Sequence, residues 1–141
     1  MAVRIVLDTN IIVAGLRSRR GAAYRLLSLL GTGAFEHCLS VALLFEYEAV
    51  VKRPETGIRL SQQQLEDTLD YITASAHLQT IHYLWRPTLP DPGDDLVLEV
   101  AVAGACRTIV TYNTRDFVGS ERFGIRPVIP AEFLARVEAI Q

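Results

Sequence analysis

At 141 residues the chain has the length of one domain, and with 50% hydrophobic residues it can bury a sizeable core. A formal net charge of −2 argues against holding nucleic acid by bulk charge, since such domains are usually basic, and suits a chain that gathers carboxylates in one place. No apolar run approaches a membrane span, Met1 leads straight into a strand with no leader, and Cys38 and Cys106 have no CxxC partner, so a cytoplasmic protein with two buried free thiols is expected.

The first element is Val3-Arg4-Ile5-Val6-Leu7-Asp8-Thr9-Asn10. Near-continuous apolar character over so few residues suits a strand buried on both faces, as in a parallel sheet. Asp8 falls at its carboxyl end, where open α/β sheets place their ligands. Ile11 to Leu16 reads as a short apolar helix, with Thr9 and Asn10 as N-cap types. The basic turn Arg17-Ser18-Arg19-Arg20-Gly21 follows, either a solvated loop or a phosphate contact at the rim of a site. Helical spacing of Ala23, Leu26, Leu27 and Leu30 predicts a helix ended by Gly31-Thr32-Gly33. Ala34 to Leu39 is a second strand.

Ser40 reads as the N-cap of a helix from Val41 to about Lys52, and within it Glu46 lies among apolar neighbours. A glutamate in that position needs a partner if it is buried. Gly57 to Ser61 is a loop, and Leu65, Leu69, Ile72 and Ala76 mark the next helix. His37, His77 and His82 have no ligand spacing and read as structural or surface residues. Leu78 to Tyr83 is extended, and Trp85 to Pro90 is a loop punctuated by proline. Asp91-Pro92-Gly93-Asp94-Asp95 then opens an apolar helix, Leu96 to Ala105. One carboxylate at a helix N-terminus is explained by the dipole and the free N–H groups; three together are explained better by a cation between them.

Arg107 to Thr111 is a further strand running into Tyr112-Asn113-Thr114-Arg115-Asp116, Gly119 to Gly124 a loop, and Arg126 to Ile129 a last strand before a helix with Pro130 at N1. The alternation predicts a three-layer α/β/α sandwich around a mainly parallel sheet, with residues 1–141 as a single domain. Such a sheet collects strand ends and following helix starts on one edge. Asp8, Glu46, Asp94 with Asp95, and Asn113 with Asp116 would meet there. Hard oxygen donors without histidine or thiolate favour Mg²⁺ or Mn²⁺ over zinc. A metal of this kind suits phosphodiester hydrolysis, because it polarises the phosphate, acidifies a bound water and stabilises the leaving oxygen.

Asp8-Thr9-Asn10 after the first strand, Ser40 with Glu46, the acidic opening of the Leu96 helix and Ile109-Val110-Thr111-Tyr112-Asn113 together resemble the ordered motifs of PIN domains, over nearly the whole chain. The branch they look most like is the VapC-like toxin component of bacterial toxin–antitoxin systems. The resemblance implies a cytoplasmic, metal-dependent ribonuclease that cuts single-stranded RNA, is neutralised by a cognate antitoxin, and forms a homodimer through the apolar helices early in the chain. It implies Asp8, Glu46, Asp94 and Asn113 as catalytic positions, and Asp8, Glu46, Asp94, Asp95 and Asp116 as candidate ligands of Mg²⁺ or Mn²⁺. Asp94 is preferred to Asp95 because Val97 and Ala101 then take the family's buried helix positions. Thr9, Asn10, Ser40 and Thr111 match positions that support the ligands by hydrogen bonds. Asn113 departs from the commonest family pattern, in which this position is an acid; Asp116 can compensate. Two other readings are a degenerate module that binds nucleic acid or protein, and a phosphotransferase with Asp8 as nucleophile. The latter commonly needs an aspartate where Asn10 stands.

Overall fold

The structure is a computed structural model, and it describes residues 3–81 and 89–140. Five parallel strands form one sheet in the order β3-β2-β1-β4-β5: β1 is Arg4–Leu7, β2 Glu36–Leu39, β3 His77–Leu78, β4 Thr108–Val110 and β5 Arg126–Val128. Among the described residues six α-helices accompany it: α1 Thr9–Arg17, α2 Ala22–Ser28, α3 Val41–Val51, α4 Gln62–Ala74, α5 Pro92–Ala103 and α6 Pro130–Ile140. The strand order runs outward one way from β1 to β3 and the other way from β1 through β4 to β5, which with parallel strands is the expected sandwich.

β1 lies at the centre because its side chains are apolar on both faces: Ile5, Val6 and Leu7 are fully buried. Its register sets Leu7 opposite Val110 of β4, and the Asp8 N–H donates to the Val110 carbonyl at 3.0 Å. Strand order reverses at β1, so the gap between the ends of β1 and β4 is the crevice in which such sheets bind ligands.

Several element boundaries differ from the sequence reading. The N-cap of α1 is Asp8, not Thr9 or Asn10; the strand stops at Leu7, and the Asp8 carboxylate accepts from the Thr9 N–H at 2.7 Å. α5 starts at Pro92, four residues before Leu96, because proline's fixed φ suits N1 and Asp91 caps it by accepting from the Gly93 N–H at 2.7 Å. Short 3₁₀ turns occupy Pro54–Thr56, Thr114–Phe117 and Ser120–Phe123, the last within the expected Gly119–Gly124 loop. α4 keeps its expected start through a complete capping box between Ser61 and Gln64. His82, the end of the expected Leu78–Tyr83 strand and most of the Trp85–Pro90 loop lie outside the described residues. Cys38 and Cys106 are free and buried, as expected.

Candidate functional site

The site is assembled from four chain segments that end or begin at the carboxyl edge of the sheet. Asp8 is its centre. Only 7% of the residue is exposed, and both carboxylate oxygens are held: Oδ1 accepts from the Thr9 N–H, and Oδ2 accepts from the Thr111 hydroxyl at 2.7 Å. Thr111 itself accepts from the Asn113 N–H at 3.0 Å and from Asn10 Nδ2 at 3.3 Å. One donor and two acceptor sites exhaust a hydroxyl, so its proton can point only at Asp8. Asn10 completes the network by accepting from the Tyr112 N–H at 3.3 Å. Burial pushes the Asp8 carboxyl above its usual range, the bonds from Thr111 and Thr9 pull it back, and the charges of Asp116 and Asp91 push it up again.

α3 brings in Glu46. Ser40 caps that helix by accepting from the Leu43 N–H at 3.1 Å; it is buried and does not line the cleft, so its contribution is to fix where α3 begins. The docking is set by Tyr47, fully buried, whose hydroxyl donates to the Leu7 carbonyl one residue before Asp8. Glu46 thereby stands half-buried over the start of α5. A Cβ on Gly93 would lie 3.5 Å from Glu46 Oε1 and 3.2 Å from Asp91 Oδ1, so the first turn of α5 leaves room for the two carboxylates by having no side chain there.

Asp94 and Asp95 are neighbours on α5 and point about 100° apart, as the helical repeat requires. Asp94 faces the cleft. Burial first, and then the charges of Asp8, Asp91, Asp116 and Asp95, hold its carboxyl at about 7. Asp95 faces the other way: it is 2% exposed, and its Oδ1 accepts from the Leu89 N–H at 2.9 Å. The structure therefore does not bring Asp95 to the proposed ligand group, because the helix register turns it onto the backbone of the preceding segment. Asn113 and Asp116 come from the turn after β4, anchored by the fully buried Phe117.

These groups line one cleft of about 660 Å³ with Asp8, Glu46, Asp91, Asp94 and Asp116 as its carboxylates and Asn113 beside them. Thr9 and Asn10 also line it, while Thr111 is buried beneath. Val13, Ala14 and Val50 form an apolar wall, and Arg17 and Tyr112 complete the lining. Asp91 stood in the acidic run of the sequence but was not singled out; its place as N-cap of a helix that opens into the cleft is the signal that was available. Tyr47 had no sequence signal beyond its adjacency to Glu46.

The donor set is one of hard oxygens. His37 is held elsewhere, with Nε2 3.1 Å from Ser75 Oγ and its ring pushed down to about 4 by burial, and His77 lies 3.2 Å from Glu36. Burial of the Asp94 carboxylate and the like charges that crowd it are both offset by a cation, so the residues fit a hard divalent ion in kind. In spacing, no three acidic, histidine or cysteine side chains among the described residues already enclose an ion.

Residues 4–115 match the profile of a protein family described as the PIN domain. No curated protein matches the sequence. Among solved structures, the chain is similar to one chain of the crystal structure of VapBC2 from Rickettsia felis bound to a DNA fragment from their promoter, with a TM-score of 0.61 and 18% identity, over 90% of this chain and 98% of that one. At that identity the likeness is one of fold.

Proposed function

The chain belongs to the PIN-domain family, and on that premise we propose that it is a metal-dependent endoribonuclease for single-stranded RNA, acting as the VapC-like toxin of a toxin–antitoxin pair. The observation that carries this reading is the gathering of five carboxylates and Asn113 in one cleft at the crevice between β1 and β4.

Asp8, Glu46, Asp94 and Asp116 would hold Mg²⁺ or Mn²⁺, with Asn113 as a neutral donor and Asp91 adding negative charge from the rim. Such an ion, when bound, supplies a Lewis acid for the phosphate and acidifies water at neutral pH. The chain's own residues prepare the site for it. Thr111 and the Thr9 N–H fix the rotamer of Asp8, so no reorganisation is needed when charge arrives. Asp94, held at about 7 by burial and its acidic neighbours, would have to be deprotonated to serve as a ligand, which would link occupancy to pH near neutrality. The expected products carry 3′-hydroxyl and 5′-phosphate ends.

The partner is an antitoxin, a proposal supported by the printed description of the VapBC2 neighbour as a complex. A homodimer belongs to the same reading. Val41 and Phe45, one turn apart on α3 and 63% and 62% exposed, supply apolar surface for an interface. Residues 1–141 form one cytoplasmic domain in this proposal. Among the described residues, no helix is long and apolar enough to cross a membrane.

The test is cleavage of single-stranded RNA by purified protein with Mg²⁺ or Mn²⁺. Cutting that stops with chelator and with Asp8→Asn is expected; absence of cutting, or an Asp8→Asn variant that behaves like the parent, overturns the proposal. A second reading, an RNA- or protein-binding module without activity, is favoured by Asn113 standing where an acid is commonest. Retention of RNA without cleavage would support it.

A further inference from the structure

α1 lies along the cleft. Asn10, Val13, Ala14 and Arg17 follow helical spacing on its one face and all line the same cavity. Tyr112 sits at the N-terminal end of this face, tied to it by the Asn10 side chain, and Arg17 at the C-terminal end, about 10 Å away by the helical rise. Between these ends stand the carboxylates on one side and the Val13, Ala14 and Val50 wall on the other.

Arg17 is exposed and its Nη1 donates to the Thr56 carbonyl at 3.4 Å. A cation in the last turn of a helix is favoured by the dipole, which accounts for the residue type. It does not account for the pairing. Arg4, Arg25, Arg126 and Arg136 each form an ion pair with a glutamate, whereas Arg17, sharing a cavity with five carboxylates, pairs with none of them among the described residues. Its charge is thus held beside the acidic group and kept free of it. Tyr112 presents an aromatic ring that is 45% exposed at the mouth. A cation and an aromatic face flanking a reaction centre are the two contacts that single strands use, one for a phosphate and one for an unstacked base.

We propose that the α1 face is the substrate track: single-stranded RNA crosses the cleft from Tyr112 to Arg17, with a base stacked on the Tyr112 ring and a phosphate flanking the reacting one on the Arg17 guanidinium. Arg19 and Arg20, exposed in the turn beyond, continue the path. The track rests on the part of the proposed function that makes the cleft an RNA site. It adds a reason for single-strand selectivity, since a paired base cannot turn out onto Tyr112.

The test measures KM and kcat for cleavage of a single-stranded RNA, and affinity for the same RNA by fluorescence anisotropy with Ca²⁺ in place of Mg²⁺. Arg17→Ala is expected to raise KM about tenfold with kcat largely kept. It should also flatten the dependence of log affinity on log salt by about 0.7, the share of one phosphate on a single strand. Arg17→Lys restores most of both. Tyr112→Ala is expected to raise KM roughly 5- to 150-fold, the value of one base on an aromatic platform, and Tyr112→Phe to keep it low. Arg4→Ala, which removes the same charge at the opposite sheet edge, changes neither. If the parent protein cleaves and Arg17→Ala and Tyr112→Ala match it in KM and salt slope, the track is wrong and the nuclease reading stands. If the parent binds RNA without cleaving and both variants bind weakly, the track stands and the nuclease reading fails. A parent that neither binds nor cleaves sinks both.

Discussion

The two edges of the sheet handle charge in opposite ways. At the amino edge, Arg4 lies 3.1 Å from Glu36, so charges of opposite sign meet across β1 and β2, and His77 of β3 lies 3.2 Å from the same carboxylate. At the carboxyl edge, five carboxylates share one cleft, and burial, reinforced by the charges of its neighbours, raises Asp94 to about 7. Neutralised pairs at a surface contribute little beyond modest stability. Concentrated like charge costs stability, and it is the arrangement expected of a site that waits for a cation. The contrast locates function at one edge of a sheet whose strands are otherwise alike.

The sharpest way to break the contrast is to exchange neighbours. Asp94→Asn is expected to lower kcat roughly 10²–10³-fold, the size seen when a group acting on transition-state charge is lost, with Tm held or raised because a repulsive charge is gone. Asp95→Ala should do the reverse. It leaves the buried Leu89 N–H without its acceptor and costs about 1–3 kcal/mol, read as a lower Tm, while kcat stays within a few-fold. Parallel cleavage assays and thermal melts check both. Thr111→Val keeps shape and removes the bond to Asp8; activity should fall about 10–100-fold, with a matching loss in metal affinity.

A smaller effect sharpens the comparison through pH. Without metal, the folded chain keeps the Asp94 proton up to about 7, whereas the unfolded chain gives it up near 3.8. The fold therefore binds more protons between those values, and its stability falls as pH rises through them. Tm of the metal-free protein should be lower at about pH 8 than at about pH 5, with a flatter profile for Asp94→Asn and for protein saturated with Mn²⁺. The smallest effect is expected at the amino edge: Arg4→Ala should leave cleavage unchanged and lower Tm only slightly.

The strand that leads into Asp8, the Ser40 cap and the alternation of elements were legible because each depends on local pattern: apolar runs, capping residues, helical spacing. What was not legible depends on registers that no local pattern sets. The family resemblance preferred Asp94 to Asp95 as the cleft residue; why Asp95 turns instead to the Leu89 N–H emerges only from the packing of α5. Asp91 enters the cleft for the same reason. Tyr47 fixes the distance between α3 and β1 through a bond to a backbone carbonyl 40 residues away, which no spacing in the sequence announces. Arg17 was readable in outline as a rim residue. Its place on the Asn10–Val13–Ala14 face was implicit in the helix period, but its freedom from the nearby carboxylates was not.

The most direct measurement is calorimetric titration of the metal-free protein with Mn²⁺ near pH 7 in two buffers of different ionisation enthalpy, alongside Asp8→Asn and Asp94→Asn. Saturable binding to the parent, with a heat that changes with the buffer because Asp94 releases its proton, and loss of that binding in both variants, is what the account requires. No binding at millimolar Mn²⁺, or equal binding by the parent and Asp8→Asn, would contradict it.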